Sequence, residues 1–157
     1  MDDMKLQNAK RMYAKLCEHM DMLNWKYTKN EDKLEIKCSA RGEDLPIELV
    51  IQLHPDLQLL HLFSHLPFTV PEDKRLDFAV AISIVNNKMV DGCFDYDISD
   101  GHMFFRMTNS FIDAELGFET VRYIIFCACA TIDKYNDKFL MLAKGMFSLE
   151  QFMESEA

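Results

Sequence analysis

The chain has 157 residues, which is enough for one domain with a sizeable core and too few for two ordinary domains. Its composition, 49% hydrophobic and 27% charged, is typical of a folded globular protein and excludes a disordered chain. The acidic net charge of −9 disfavours binding to nucleic acid, because a phosphate backbone would be repelled on average.

The first residues lack the charged-then-apolar pattern of a secretory signal, and no apolar run reaches the roughly 20 residues of a membrane helix. The five cysteines are odd in number and scattered, which argues against a disulfide framework and for reduced thiols. We therefore expect an acidic cytoplasmic protein with no membrane association.

The first half of the chain predicts one helix followed by strands. Apolar residues recur at three- and four-residue spacing over 4–23, which predicts a helix. The period then falls to two, and strands are predicted over 25–28, 34–40, 47–54 and 57–66.

The segment 57–66 differs from the other strands because it is apolar on both faces. One face carries Leu57, Leu59 and Phe63, and the other carries Leu60, Leu62 and Leu66. Such a strand is covered on both sides, either by its own chain or by a partner.

The middle of the chain predicts a helix and a hairpin. Thr69, Val70, Pro71 and Glu72 have the form of a capping box, and the helix that they open runs to about Met89. Alternating residues over 93–98 and 103–108 then flank Asp100-Gly101, a strong two-residue hairpin signal.

Two helices are predicted after the hairpin. Apolar periodicity marks a long helix over about 118–144, with Gly145 as its C-terminal cap. Ser148 to Gln151 forms a second capping box, so a short last helix and a frayed tail are expected over about 148–157.

This order, α-β-β-β(-β)-α-β-β-α, predicts an α+β fold in which helices cover one face of an antiparallel sheet. We find no linker or repeat, so a single domain over 1–157 is expected.

Metal chemistry is hard to fit to the sequence. His61 and His65 lie four apart on a predicted strand, about 13 Å, which is too far for one metal ion to bind both. The acidic run from Asp95 lacks the glycine and glutamate that a calcium loop needs at its sixth and twelfth positions.

Catalytic chemistry is equally hard to place. Cys127 and Cys129 are two apart on a helix, so their thiols diverge and do not form a redox pair. A thiol-base pair of Cys93 with His102 has no local support, and the scattered glycines form no phosphate loop. We predict no cofactor, no metal and no enzymatic activity.

The middle of the long helix, residues 123–130, is apolar nearly all round. Together with the two-faced strand, it indicates either a surface for a partner or a thick core. The sequence leaves both readings open.

Several short motifs resemble the YbjN-like family of bacterial sensory transduction regulators, whose fold is similar to that of type III secretion chaperones. They fall between about Leu45 and Met153: Asn86-Asn87, residues 92–97, Asp100-Gly101, Phe104-Phe105-Arg106, Asp133-Lys134-Tyr135 and residues 145–150. The resemblance implies a chaperone-like, non-enzymatic, cytoplasmic protein that binds polypeptide and is able to form a homodimer.

We therefore expect a protein-binding or regulatory module, with recognition by an apolar strip or by strand addition at a sheet edge. The candidate binding residues are apolar positions of the two-faced strand and the hairpin: Leu57, Leu60, Leu62, Leu66, Met103, Phe105 and Met107. On this reading, substituting Leu60 and Leu62 with Ser leaves folding intact. The alternative is a small-molecule sensor with a pocket between sheet and helices.

Overall fold

A six-stranded antiparallel sheet with all four α-helices on one of its faces forms the fold, seen in a computed structural model that describes residues 3–157. The α-helices are α1 (Asp3–Met22), α2 (Arg75–Lys88), α3 (Phe118–Ala143) and α4 (Leu149–Ser155). The strands are β1 (Tyr27–Asn30), β2 (Glu35–Arg41), β3 (Pro46–His54), β4 (Leu59–His65), β5 (Cys93–Asp97) and β6 (His102–Ser110). The predicted α+β class, with helices covering one face of an antiparallel sheet, is confirmed.

The sheet has the order β1-β2-β3-β4-β6-β5. The first four strands form a meander, because each turns directly back on the one before. β4 then pairs with β6 and not with β5, since α2 carries the chain across before the hairpin returns.

The core lies between the sheet and the helices. Alternate residues of β2, β3, β4 and β6 are buried there, as their period of two predicts. Buried aromatic rings join the layers: Phe94 of β5 lies 5.2 Å from Phe105 of β6 and 5.2 Å from Phe139 of α3. Phe139 in turn stacks on Phe152 of α4 at 5.6 Å, so the last helix belongs to this core.

The turn between β3 and β4 is fastened to α1 by one buried side chain, Gln58. Its amide nitrogen donates to the backbone oxygen of Lys5 at 3.0 Å, and its amide oxygen accepts from Asn8 at 2.6 Å. Gln58 adopts a left-handed backbone conformation, with φ of 53°. β4 therefore begins at Leu59, two residues later than the sequence predicts, and Leu57 lies in the turn.

Two predicted helix starts have different outcomes. The capping box at Ser148 is present, since its hydroxyl accepts from the backbone nitrogen of Gln151 and the Gln151 side chain accepts from the backbone nitrogen of Ser148. The capping box at Thr69 is wrong: a 3-10 turn over Glu72–Lys74 precedes α2, and no side chain caps it. The backbone of Val70 instead donates to the Gly101 oxygen at 2.9 Å, which ties this segment to the β5–β6 turn.

Three further details concern the ends of the elements, and one of them agrees with the prediction. The β5–β6 connection spans four residues between the paired Asp97 and His102, not the two predicted. Gly145 caps α3 as predicted, with φ of 68° and with the nitrogen of Met146 donating to Met141. The expected frayed tail is instead helical to Ser155 and followed by a buried Glu156.

Candidate functional site: the open face of the sheet

The sheet face that points away from the helices carries aromatic, histidine and charged side chains. Val50, Phe63 and Arg106 lie directly opposite one another on β3, β4 and β6 and form its centre. None of the helices in residues 3–157 packs on this side, and these three residues are half-buried only by their neighbours within the sheet. We call this surface, with His61 and Phe104 beside its centre, the open face.

Five aromatic and histidine rings form a continuous ladder across the open face. The ring centroids of His54 and His61 are 5.5 Å apart, and those of His61 and Phe63 are 5.1 Å apart. Contacts of 5.8 Å from Phe63 to His65 and 5.4 Å from His65 to Phe104 complete it. Period-two spacing along β4 sets the middle of the ladder, and cross-strand neighbours on β3 and β6 extend it.

His61, the second ring of this ladder, is held neutral. Burial lowers the pKa of His61, and the nearby His54 and Arg106 lower it further. Nδ1 of His61 lies 3.4 Å from Nε2 of His54, and its Nε2 is buried without a hydrogen-bond partner among residues 3–157. At neutral pH His61 therefore contributes an uncharged ring to the open face.

The positive charge of Arg106, at the centre of the open face, is neutralised by Asp95. Nε of Arg106 donates to Oδ2 of Asp95 at 2.5 Å, and Nη2 donates to Oδ1 at 3.2 Å. The hydrogen bond with Asp95 raises the pKa of Arg106. A two-pronged pair of this kind fixes the guanidinium in place.

Cys93 beside this pair is not an activated nucleophile. Burial raises the pKa of the Cys93 thiol, and Asp95 raises it further. Its Sγ accepts from Nη2 of Arg106 at 3.5 Å, but the thiol remains protonated at neutral pH. The face thus has the chemistry of a binding surface: flat aromatic rings bordered by a neutralised ion pair.

Two further thiols, those of Cys38 and Cys129, are also not activated, and the described residues hold no metal-binding cluster. Burial raises the pKa of Cys38 to about 12 and that of Cys129 to about 11. Over residues 3–157 there is no group of three or more His, Cys, Asp or Glu side chains that could hold a metal ion. His61 and His65 are separated by the Phe63 ring.

The structure separates the candidate residues that the sequence predicts for binding. Leu57, in the turn before β4, is exposed over 61% of its surface. The other six are buried in the core beneath the helices: Leu60, Leu62, Leu66, Met103, Phe105 and Met107. Leu60 and Leu62 therefore belong to the folding core, and the expectation that Ser at these positions leaves folding intact is corrected. Binding by β4 itself stays a prediction, and it falls to the other side of the strand.

The ladder residues were missed although the sequence carried a signal for them. In β4 the residues that alternate with Leu60, Leu62 and Ser64 are Leu59, His61, Phe63 and His65. Two histidines, His61 and His65, lie on this side of the strand and mark it as the face that meets water, because histidine is buried less often than leucine. The apolar Phe63 concealed that pattern, and the approach of His54 from β3 depends on register.

Two concavities open at the surface, and the second of them lies where a helix meets the edge strand of the sheet. One, of about 900 Å³, lies between α1 and the segment after β6, and its walls include Arg11, Gln58 and Glu115. The other, of about 560 Å³, lies between α2 and β5 beside Asn86. A sensor pocket between sheet and helices stays a prediction. Across residues 3–157, no helix has the length and apolar character that spanning a bilayer requires.

Comparison with known proteins identifies the fold and no more. No protein-family model matches the sequence, and no curated protein matches it. A solved structure that matches is the crystal structure of YbjN from E. coli, described as a candidate transcription regulator. The two chains superpose with a TM-score of 0.58 and share 11% identity, over 78% of this chain and 86% of that one. The chain therefore has a YbjN-like α+β fold.

Proposed function

We propose that the chain is a non-enzymatic protein-binding module of the regulatory kind, which binds a segment of another polypeptide on the open face. The ring ladder carries the proposal. It places Phe63 and Phe104 on the outside of a sheet, where burying aromatic surface against a partner would contribute binding energy.

The electrostatics of the open face favour polypeptide over nucleic acid. Arg106 is compensated by Asp95, and neutral His61 adds no charge. Lys37 of β2, on the same side of the sheet, lies 3.6 Å from Glu35. A surface with no net positive charge gains nothing from counterion release, which supplies most of the affinity for a phosphate backbone.

The chemistry of the face also favours binding over catalysis. A nucleophile needs a lowered pKa or an adjacent base, whereas the pKa of Cys93 is raised and its neighbour is a compensated arginine. YbjN, the fold neighbour, is described as a candidate transcription regulator, which is consistent with a regulatory module.

A displayed peptide library tests the proposal. The library is panned on the wild-type chain, and the affinity of selected peptides is then measured for Phe63→Ser and for Val80→Ser. Val80 is the matched control, because it is 46% exposed on α2, on the far side of the molecule from the open face.

We expect peptides rich in apolar and aromatic residues, bound about tenfold or more weakly by Phe63→Ser, since losing a phenyl contact removes on the order of 1.5 kcal/mol. Val80→Ser should bind as the wild type does. Peptides whose affinity is unchanged by Phe63→Ser and by the equivalent change at Phe104 would place binding elsewhere and contradict the proposal.

A further inference from the structure

Two histidines on neighbouring strands bring their ring nitrogens together at one side of the open face. Nε2 of His54, at the end of β3, lies 3.4 Å from Nδ1 of His61 on β4, and the ring centroids are 5.5 Å apart. His61 lies opposite Gln52 in the register of the two strands, and His54 follows Gln52 by two residues on the same face. The rings therefore meet diagonally, on backbones that the strand ladder holds in place.

The separation of these nitrogens is the one that two ligands of a single zinc ion require. Zn²⁺ binds histidine nitrogen at about 2.0–2.1 Å in tetrahedral geometry, so two ligand nitrogens lie about 3.3–3.4 Å apart. His61 and His65 do not meet this requirement, because they follow each other along one strand at about 13 Å. A pair on adjacent strands can meet it, since adjacent strands are only about 5 Å apart.

The protonation of His61 suits a metal ligand. A histidine must be neutral to bind a metal ion, and burial lowers the pKa of His61, with His54 and Arg106 lowering it further. Nε2 of His61 is buried and has no hydrogen-bond partner among residues 3–157. Nδ1, which faces His54, is therefore the nitrogen through which this ring can reach an ion.

The charges around the pair do not oppose a cation. Arg106 on β6 lowers the pKa of His61, whereas Asp95 on β5 raises it. Because Arg106 and Asp95 form an ion pair, their effects on a charge at His61 oppose each other. The whole chain has a net charge of −9, which attracts cations.

We propose that His54 and His61 bind one Zn²⁺ ion through Nε2 of His54 and Nδ1 of His61, with two water molecules completing the tetrahedron. The ion replaces the hydrogen bond between the two nitrogens. Because its ligands come from two strands, it links β3 to β4 and stabilises the folded chain. The site does not depend on the proposed polypeptide binding, which rests on Phe63 and Phe104.

A titration of the full chain with Zn²⁺ alone, followed by the NMR signals of the imidazole nitrogens, tests the site. We expect the signals of His54 Nε2 and His61 Nδ1 to move to the positions of metal-bound nitrogens. Those of His102, which pairs with Asp100 at 3.1 Å, should not move.

Single substitutions separate this pair from other ligands for zinc. His54→Gln and His61→Gln should each weaken Zn²⁺ binding about a hundredfold, since loss of even a supporting residue around a metal costs about 10–100-fold. His102→Gln is the matched control, because it removes an exposed histidine that lies beside a carboxylate, and it should bind Zn²⁺ as the wild type does. Circular dichroism confirms folding of each variant.

Thermal unfolding gives a second measurement. With free Zn²⁺ about 100-fold above its Kd, the Tm of the wild type should rise by about 5–10 °C. His54→Gln and His61→Gln should show no such rise at the same Zn²⁺ concentration. Lowering the pH from about 7 to 5 should abolish the rise in the wild type, because a protonated imidazole does not bind a metal ion.

Three results would overturn the inference. One is a Zn²⁺ titration that leaves the signals of His54 and His61 unchanged. Another is Zn²⁺ binding that His54→Gln and His61→Gln leave as strong as in the wild type, which would assign the ion to thiols or carboxylates elsewhere. The third is Zn²⁺ binding that His102→Gln abolishes, which would move the site to the β5–β6 turn.

Discussion

Adjacent residues of β4 should differ sharply in what they contribute to stability. Leu62 is fully buried, paired with Ile51 on β3 and Met107 on β6, and lies under the helices. Phe63 points the other way, onto the open face, where its ring meets His61 and His65. The change with the smaller loss of volume, Leu62→Ala, should therefore be the more damaging one.

The magnitudes follow from burial. Removing a fully enclosed leucine side chain leaves a cavity and costs about 3 kcal/mol, within the range of about 2–5 for such sites. Phe63→Ala removes half-buried ring contacts within the sheet, which contribute about 1 kcal/mol. With a urea dependence of about 2 kcal/mol per molar, the unfolding midpoint should fall by about 1.5 M for Leu62→Ala and about 0.5 M for Phe63→Ala.

Urea unfolding followed by circular dichroism measures both variants against the wild type. A loss for Phe63→Ala equal to or larger than that for Leu62→Ala would refute the assignment of the two faces. That result would mean that the aromatic side of β4 is covered in the folded protein, and the open face would no longer be a candidate site.

Three further outcomes are expected. Stability should fall as the pH drops from about 7 to 5, because the folded state holds the pKa of His61 below the value of about 6.5 that it has when unfolded. The variant His61→Gln should show a weaker dependence of stability on pH. Equal slopes of the unfolding free energy against pH for the two proteins, measured by urea titration, would contradict this prediction. Glu156→Gln should cost about 1–2 kcal/mol and lower the Tm by a few degrees, because the buried carboxylate lies 2.5 Å from Lys138 and 3.8 Å from Lys88. Glu154 is exposed, so Glu154→Gln is the control and should leave the Tm unchanged. Gly92→Ala should destabilise the fold by about 2 kcal/mol more than Gly145→Ala. Both glycines have a positive φ, but only at Gly92 would a Cβ collide with the Phe105 ring. Equal unfolding midpoints for the two variants would exclude that collision.

Much of the fold could be predicted because its local signals agree. The period of two in β2 and β3, and the glycine after α3, each point to the structure observed. These signals depend on neighbours in sequence and need no tertiary information. The start of α2 could not be predicted in this way, because Val70 is held by the backbone of Gly101, which lies 31 positions further along the chain.

The candidate site was less predictable for the same physical reason. Both faces of β4 are apolar enough to be core, and the choice between them depends on which side the helices cover. That choice is made by side chains such as Tyr135 and Phe139 of α3, which meet Phe94 on the helix side of the sheet. The contact between His54 and His61 likewise depends on the register of β3 with β4, in which His61 lies opposite Gln52.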